Sequence, residues 1–279
     1  MTDAEGDRIV VDHLTKSFPE LGRRSPALEV LGGVSFTVRS GEFVTVIGPS
    51  GCGKSTVFNM LAGLESPDSG SVGFRAADGE DTASHCAYMP QKDLLFPWRT
   101  VLDNTILGLR VQGVPKTEAR RRARELFPVF GLSGFEDARP SQLSGGMRQR
   151  AALLRTVVQE RELLLLDEPF GALDSLTRTE MQSWLQEVWQ RYRWMVLMIT
   201  HDVREAVYLS DRVIVLSARP ATVRRELRID LPRPRGLSMI TAPEFVALEE
   251  ELLAILHEES RRSLEQSLGR ATKRPDHDQ

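Results

Sequence analysis

Short apolar runs with alternating or β-rich patterning dominate the beginning of the chain. The segments RIVVDHL, LEVL, VSFTV and EFVTVI follow one another there, separated by Gly and Pro turns. Alternation of apolar and polar positions is typical of half-buried strands. We therefore expect several short strands between Ile9 and Ile47.

Two later apolar runs, LLLLD and MVLMIT, are short and bounded on both sides. Runs of this kind predict strands that are buried on both faces of a parallel sheet. Between Thr100 and Gln159 the spacing becomes helical, in VLDNTILGLRVQ, KTEARRRARELF and GGMRQRAALLRTVV. The order predicts an α/β domain with a helical insert. We interpret the arginine run Arg120–Arg124 as a solvated helix face.

The chain after Arg219 is Arg-rich and punctuated by prolines, in RPATVRRELRIDLPRPRG. The segment APEFVALEEELLAILHEESRRSLEQSL then has the pattern of one amphipathic helix or two. Such a segment could pack on the core or regulate an assembly. The final ATKRPDHDQ is predicted to be frayed.

Composition and charge exclude several classes of protein. The chain has 279 residues, of which 41% are hydrophobic, enough for a real core. Its 36 Lys and Arg against 39 Asp and Glu give a net charge of -3, so no global basic field indicates nucleic acid. Its apolar runs are far shorter than the roughly 18 residues that span a bilayer, so any membrane role is expected to be peripheral. The segment MTDAEGDRIVV has acidic residues and no long apolar run, so we do not expect it to be a secretory signal. With only two cysteines, a reducing cytoplasm is expected.

The segment GPSGCGKST follows the strand FVTVI and precedes the helix KSTVFNMLAG. Strand, glycine-rich loop and helix in this order predict a phosphate site, because loop N–H groups and the helix dipole attract anions. Lys54 would reach the β- and γ-phosphates and Ser55 would ligate Mg²⁺. Cys52 lies beside Lys54, which favours thiolate character. The expected ATP-binding residues are Gly48, Pro49, Ser50, Gly51, Cys52, Gly53, Lys54, Ser55 and Thr56.

The run LLLLDEP puts Asp167 and Glu168 at the end of a predicted buried strand. In an open α/β sheet this is the edge where ligands bind. Asp167 suits the binding of Mg²⁺, and Glu168 suits accepting a proton from attacking water. By itself the pair could equally be an acidic turn that ends a strand.

The segment LSGGMRQR supplies a second anion-binding helix start, at Ser144, Gly145 and Gly146. One nucleotide does not need two such sites from one chain. Here the sequence resembles the ATPase subunits of ABC transporters, in which this signature closes over the ATP held by a partner subunit. The resemblance runs from about Ile9 to Arg235. The motifs follow the family's order, with the phosphate loop, Gln91, the signature, Asp167 and Glu168, then Asp174 in ALD and His201 in ITHD.

The resemblance implies an α/β P-loop NTPase fold of the ABC type. A RecA-like core would carry an N-terminal antiparallel β subdomain and an α-helical insert at about 92–160. The ATPase domain would cover 1–235, and a C-terminal helical extension and tail would cover 236–279. The subunit would form a head-to-tail dimer with a second copy of itself and bind ATP and Mg²⁺.

The resemblance also implies roles for single residues. Gln91 would contact Mg²⁺ or the attacking water, and His201 would hydrogen-bond the γ-phosphate, so that both assist Glu168. Phe18 would stack on adenine, although an isolated Phe near a strand end is often core. Asp174 would lie at the dimer seam. The residues expected to act on the partner's ATP are Ser144, Gly145, Gly146 and Gln149.

The segment MPQKDLLFPWRT combines the polar Gln91 with an apolar knob, Phe96 and Trp98, in a stretch too broken by proline for a core helix. In the family this loop borders a groove that receives a cytoplasmic helix of the membrane permease. Phe96 and Trp98 would then be permease contacts. The alternative is that both side chains pack inward against the helical insert.

Segments such as DLLFPWRTVLDN and LPRPR most resemble those of importer ATPases for nitrate, sulfonates and taurine. This resemblance implies a peripheral subunit on the cytoplasmic face of the inner membrane. It would work with permease subunits, indirectly with a solute-binding protein, and without nucleic acid. Two rival functions remain open, an ABC-type ATPase of DNA repair or translation and a non-enzymatic scaffold that keeps the fold.

Overall fold

The structure is a computed structural model, which describes residues 8–19, 27–76, 79–81 and 86–271. The tail predicted to be frayed therefore lies outside the described residues, apart from Ala271. The strands are β1 (Arg8–Phe18), β2 (Leu28–Arg39), β3 (Phe43–Ile47), β4 (Ser69–Ala76), β5 (Gly79–Asp81), β6 (Cys86–Met89), β7 (Leu163–Asp167), β8 (Met195–Ile199), β9 (Arg212–Leu216) and β10 (Val223–Arg228). The α-helices are α1 (Lys54–Leu61), α2 (Val101–Thr105), α3 (Leu107–Val111), α4 (Lys116–Leu126), α5 (Gly145–Val157), α6 (Ser175–Tyr192), α7 (Val203–Leu209) and α8 (Pro243–Ala271).

An antiparallel sheet is built from the beginning of the chain, in the order β2-β1-β4-β5. The expectation of separate strands for LEVL and VSFTV was wrong, because both belong to the single strand β2. The glycines between them do not end the strand. Gly33 has φ of +104°, and the pairing with β1 shifts its register around this position. The glycines therefore bend a continuous strand instead of making a turn.

A second sheet has the order β10-β9-β3-β8-β7-β6, in which all neighbours are parallel except the edge strand β10. The predicted strands LLLLD and MVLMI are its members β7 and β8, and every one of their residues is buried. Two apolar cores explain this burial. Leu164 and Leu166 of β7 face a core shared with the helical insert, whereas Leu163 and Leu165 face the core shared with the antiparallel sheet.

The helical insert is largely as the sequence predicts, with two differences. The expected single helix VLDNTILGLRVQ is two short helices, α2 and α3, which meet at Ile106. The predicted solvated arginine face is confirmed for Arg121 and Arg124 of α4, whereas Arg120 is half-buried and pairs with Asp103 of α2 at 2.7 Å. On the exposed side of this helix, Glu118 forms ion pairs with Arg121, three residues further on, and with Arg122, four residues further on.

The Arg- and Pro-rich segment after Arg219 contains an edge strand, β10, that the sequence pattern did not indicate. The segment predicted as one helix or two is a single helix, α8. It packs on the main core, where Phe245 and Leu252 are fully buried. Within the described ranges, no helix is both long and apolar enough to cross a membrane.

Candidate nucleotide site

Four neighbouring parallel strands, β3, β8, β7 and β6, bring the predicted chemistry to one edge of the sheet. The loop 48–56 follows β3, and Gln91 follows β6 by two residues. Asp167 ends β7 and is followed by Glu168, while His201 comes just after β8. Because parallel strands point the same way, their carboxyl ends meet at one edge, where α/β proteins bind ligands. Residues far apart in sequence therefore converge for a topological reason.

The glycine-rich loop is held in a shape that larger residues do not adopt. Gly51 and Gly53 have φ values of +71° and +118°, in the left-handed region that favours glycine. A Cβ added at Gly53 would lie 2.7 Å from Leu31 Cδ2 and 2.9 Å from Val30 Cγ1, both on β2. The antiparallel sheet thus presses directly against the loop, and only a glycine fits between them.

An open cavity of about 320 Å³ lies over this loop. It offers two cationic side chains, three hydroxyl groups and one carboxylate, together with backbone of the loop. Its lining residues are Val30, Ser50, Gly51, Gly53, Lys54, Ser55, Thr56, Glu168, Ile199 and Arg219. Positive groups, hydroxyls and glycine backbone at the start of a helix are the chemistry that binds phosphate groups. The cavity therefore fits the phosphate chain of a nucleotide.

Lys54 lies folded over the loop. Its Nζ donates hydrogen bonds to the carbonyl oxygens of Gly48, at 2.8 Å, and Pro49, at 3.0 Å. These contacts keep the ammonium group at the mouth of the cavity. A phosphate group there would meet a cation that is already positioned.

Cys52 differs from its prediction. The thiol is 2% exposed, and this burial raises its pKa above the ordinary value, outweighing the opposite effect of Lys54. The expected thiolate character is therefore wrong, because desolvation of a charged sulfur costs more than one nearby cation returns. Cys52 packs as a small apolar residue beneath the loop.

Glu168 is the centre of the polar cluster. Gln91 Nε2 donates a hydrogen bond of 2.8 Å to Glu168 Oε2, and His201 Nδ1 lies 3.3 Å from Glu168 Oε1. The backbone of Glu168 has φ of 45°, a left-handed conformation that is uncommon outside glycine and is often found at functional sites. Gln91 and His201, which are expected to act together with Glu168, are thus both within contact distance of its carboxylate.

Asp167 is more deeply buried than Glu168, and burial raises the pKa of its carboxyl group. The hydroxyl of Tyr88 donates a hydrogen bond of 3.1 Å to Asp167 Oδ2 and acts in the opposite direction. Tyr88 did not emerge from the sequence analysis. It stands on β6, and only the pairing of β6 with β7 brings it to Asp167.

The acidic and hydroxyl groups of the site fit the ligands that Mg²⁺ prefers. Among the residues that the structure describes, no three His, Cys, Asp or Glu side chains cluster as a metal cage. Mg²⁺ keeps several waters and is typically bound by one or two carboxylates plus substrate phosphates. The hydroxyl of Ser55, which lines the cavity, and the carboxylate of Asp167, which precedes the lining residue Glu168, fit that donor set.

The signature residues begin the 13-residue helix α5. The Oγ of Ser144 caps it by accepting a hydrogen bond of 3.2 Å from Met147 N. Gln149 is 4% exposed and therefore buried in the single subunit. Its contact with a partner's nucleotide stays a prediction. The other predicted signature residues lie in the first turn of the helix.

Asp174 lies next to this helix start. Its carboxylate caps α6 by accepting a hydrogen bond of 3.0 Å from Thr177 N, and this bond lowers its pKa. A Cβ added at Gly146 would lie 2.8 Å from Thr177 Cγ2. The beginnings of α5 and α6 are therefore packed against each other, which joins the signature to the ALD motif in one surface.

In the part of the chain that the structure describes, Phe18 does not line the cavity over the phosphate loop. It ends β1, is half-buried against the core of the antiparallel sheet, and has Lys16 Nζ 5.4 Å from its ring centroid. Its expected contact with adenine stays a prediction.

Phe96 and Trp98 form an exposed aromatic pair. Their side chains are 39% and 67% exposed, and their rings are stacked with centroids 5.1 Å apart. The alternative in which both pack inward against the helical insert is therefore wrong. A stacked, solvent-facing aromatic pair has the size and shape of an interface anchor.

The segment that carries this pair is held on two sides. Asn104 is buried, accepts a hydrogen bond from Phe96 N at 2.7 Å and donates to Phe96 O at 3.1 Å. From the signature helix α5, Arg155 donates to the carbonyl oxygens of Asp93 and Leu94 at 2.6 and 2.8 Å. The aromatic pair is thus linked to Gln91 through a short segment and to the signature through one arginine.

Comparison with known proteins identifies what this site is similar to. Residues 31–171 match the family model described as ABC transporter. The formylaminopyrimidine import ATP-binding protein ThiZ of Halalkalibacterium halodurans is 43% identical over 85% of this chain and 93% of its own length. The nitrate import ATP-binding protein NrtD of Synechocystis sp. is 40% identical over 85% and 91%. The taurine import ATP-binding protein TauB of Rhizobium johnstonii is 40% identical over 88% and 95%.

Among solved structures, the chain resembles the ATP-binding cassette MJ0796 in a dimeric post-hydrolysis state bound to ADP and Pi. The match has a TM-score of 0.65 and 28% identity, and it covers 82% of this chain and 99% of that one. A fold similar to this one therefore occurs in an ATP-binding cassette that binds ADP and Pi.

Proposed function

We propose a function from one premise: this chain belongs to the ABC transporter ATP-binding family. Members of the family bind nucleotide, and the chain is an ATPase subunit. The proposal is that it energises the import of a small solute through a membrane permease. The observation that carries it is the cluster of Gln91, Glu168 and His201 beside the phosphate loop.

Glu168 is the general base of this proposal. Its carboxylate is 21% exposed, so water can reach it, and it lies in the lining of the cavity over the loop. A carboxylate in this position can accept the proton of a water molecule that attacks the γ-phosphate. Gln91 and His201 hold the carboxylate from two sides and would orient the attacking water and the γ-phosphate oxygens.

The phosphate chain would lie along the loop from Gly48 to Thr56, with Lys54 neutralising part of its charge. Ser55 and Asp167 would hold Mg²⁺, which would neutralise charge on the phosphate oxygens as hydrolysis proceeds. Tyr88 keeps the Asp167 carboxylate oriented by donating a hydrogen bond to it. Phe18 would stack on the adenine ring.

A homodimer completes the site. Ser144, Gly145 and Gly146 begin α5 on a surface that includes Asp174, and in a head-to-tail dimer this surface would close over the partner's ATP. The γ-phosphate would then contact both subunits. Hydrolysis removes that shared contact and reopens the dimer, because only a contact that differs between two states can shift their equilibrium.

The exposed pair Phe96 and Trp98 would grip the permease. Asn104 keeps their loop in one conformation, and the short segment from Gln91 transmits changes at the γ-phosphate. Arg155 joins the same segment to the signature helix. Closure of the dimer would therefore move the permease contact together with α5.

Trp98→Ala tests this contact. Because the Trp98 side chain is 67% exposed, the isolated subunit should keep its melting temperature. Binding to the permease should weaken by about 2 kcal/mol, the usual scale of an aromatic hot spot. Co-purification and titration against detergent-solubilised permease measure this loss. A stable subunit that binds the permease with unchanged affinity would remove Trp98 from the interface.

We propose a nitrate, sulfonate or taurine as the solute class. Two relatives support this proposal, each 40% identical to this chain. One is named for nitrate import and the other for taurine import. A relative named for formylaminopyrimidine import is no less similar, so the ATPase sequence alone does not separate these solutes. Selectivity belongs to the permease and its binding protein.

Uptake by proteoliposomes tests the proposed function. The chain is reconstituted with each candidate permease and binding protein, and labelled nitrate, taurine and a pyrimidine are supplied in turn. We expect ATP-dependent uptake of one solute, and no uptake with the Glu168→Gln subunit. A subunit that hydrolyses ATP but binds no permease, and instead sediments with DNA or ribosomes, would favour a non-transport ABC ATPase.

The family membership also suggests the domain boundaries of the chain and its location in the cell. Residues 1–235 would be the ATPase domain, with an inserted helical subdomain at about 92–160, and 236–279 would be a C-terminal extension. The helix α8 of this extension packs on the domain through Phe245 and Leu252. The subunit would sit peripherally on the cytoplasmic face of the inner membrane, because its permease contact and its ATP supply both lie there.

A further inference from the structure

The turn between β9 and β10 brings a second cation to the nucleotide cavity. Arg219 lies in this turn and lines the cavity together with Lys54 and Ser55. A Cβ added at Gly51, in the middle of the phosphate loop, would lie 2.7 Å from Arg219 Nη2. The guanidinium group therefore rests against the backbone of the loop.

The backbone of this turn is fixed to the antiparallel sheet. Ala221 N donates to Val30 O and Gly32 N donates to Ala221 O, both at 2.9 Å. Ser217 and Thr222 close the turn by a backbone hydrogen bond of 2.9 Å. Arg219 thus projects from a short, doubly held turn and not from a long free loop.

The C-terminal helix α8 holds the same turn from the other side. Glu259 is 1% exposed, and its Oε2 accepts a buried hydrogen bond of 2.9 Å from Ala218 N, next to Arg219. Its Oε1 pairs with Arg262 at 2.7 Å and with Arg224 at 3.2 Å. A buried carboxylate with both oxygens occupied fixes the groups around it.

We infer that Arg219 binds the nucleotide's phosphates, and that α8 positions it there through Glu259. The chemistry supports this assignment, because a guanidinium group presents N–H donors that match phosphate oxygens and is always charged. The inference rests on the proposed function in that the loop 48–56 must bind the phosphate chain. It gives the C-terminal helix a role in nucleotide affinity.

A charge series at Arg219 tests the first part. The full chain is titrated with a fluorescent ATP analogue in the presence of Mg²⁺. Arg219→Gln should weaken binding about tenfold, the scale of a lost hydrogen bond to a charged group, and Arg219→Glu should weaken it further. Arg225→Gln is the matched control, since Arg225 is an exposed arginine of β10 that pairs with Glu251 at 3.3 Å. It should stay within about twofold of the unmodified chain.

Lys54→Ala separates failure of this inference from failure of the proposed function. If Lys54→Ala abolishes binding while Arg219→Gln stays within about twofold, the site stands and Arg219 is not part of it. If Lys54→Ala binds normally, the loop is not the nucleotide site. Equal losses for Arg219→Gln and Arg219→Glu would mean that shape matters rather than charge, which would also overturn the inference.

A double-mutant comparison tests the role of α8. Glu259→Ala should weaken ATP binding about threefold, but have no further effect in the Arg219→Gln background, because coupled residues are not additive. Glu259→Gln keeps an oxygen that accepts from Ala218 N and should restore most of the affinity. If Glu259→Ala causes the same loss in both backgrounds, or Glu259→Gln restores nothing, α8 does not act through Arg219.

Discussion

Replacing Glu168 by glutamine should lower the rate of ATP hydrolysis by about 10²-fold or more, in line with the loss of a general base. The amide has nearly the shape of the carboxylate, so its oxygen can still accept the hydrogen bond from Gln91 Nε2. It does not accept a proton from water. ATP binding should therefore persist, and an ATP-bound dimer should accumulate. Phosphate release, nucleotide titration and size-exclusion chromatography measure these three quantities.

The control for this prediction is Glu180→Gln, on the exposed surface of α6. It removes the same charge far from the cluster and should leave turnover within about twofold. Near-normal hydrolysis by Glu168→Gln would remove Glu168 from the role of base. A variant that loses ATP binding together with hydrolysis would instead make Glu168 a residue that organises the cavity.

Motifs that combine local structure with chemistry could be predicted from the sequence. The loop 48–56 has its strand before it and its helix after it, and Asp167 and Glu168 end a run of buried residues, so each carries its own structural context. The meeting of Gln91, Glu168 and His201 follows from one topological rule, that parallel strands share a carboxyl edge. These contacts between residues far apart in sequence could be predicted because the strands that carry them are parallel.

Contacts that depend on the register or packing of distant segments could not be predicted. Tyr88 reaches Asp167 only through the pairing of β6 with β7, and Arg219 reaches the phosphate loop only because β2 and α8 hold its turn. Cys52 was mispredicted because sequence proximity to Lys54 shows the attracting charge, but not the burial that outweighs it. The local sequence shows which residues are adjacent along the chain, but it does not show how deeply a side chain is buried.

The segment LPRPR is the clearest example of such hidden burial. Two arginines that alternate with two prolines have the composition of a solvated linker, yet Arg235 is 2% exposed. Its Nη1 donates to the carbonyl oxygens of Val207 and Ser210 at 2.8 and 2.7 Å, at the end of α7, and its Nη2 donates to Ile229 O at 3.1 Å. Burial and the nearby Arg233 lower the pKa of Arg235 to about 10, which still leaves it charged at neutral pH.

Arg235 serves as the C-terminal cap of α7, the helix that follows His201. The last carbonyl groups of a helix have no partner within it, and a buried carbonyl without a partner costs about 1–3 kcal/mol. The main chain of Arg235 is held as well, by two hydrogen bonds of 2.8 Å with the side chain of Gln186. Through its side chain and its main chain together, Arg235 therefore connects α6, α7 and the segment that leads to α8.

Arg235→Met should destabilise the subunit by about 3 kcal/mol or more, because methionine fills the space but leaves several buried carbonyl groups unsatisfied. Urea unfolding monitored by circular dichroism measures the loss, and Arg235→Lys should be intermediate since one ammonium group does not reach both sets of carbonyls. The control is Arg228→Met, whose side chain is 81% exposed and pairs only loosely with Asp230 at 3.6 Å. It should change the free energy of unfolding by less than about 0.5 kcal/mol. If Arg235→Met lowers the free energy of unfolding as little as Arg228→Met does, the buried arginine does not stabilise α7. The segment LPRPR would then behave as the linker that its composition suggests.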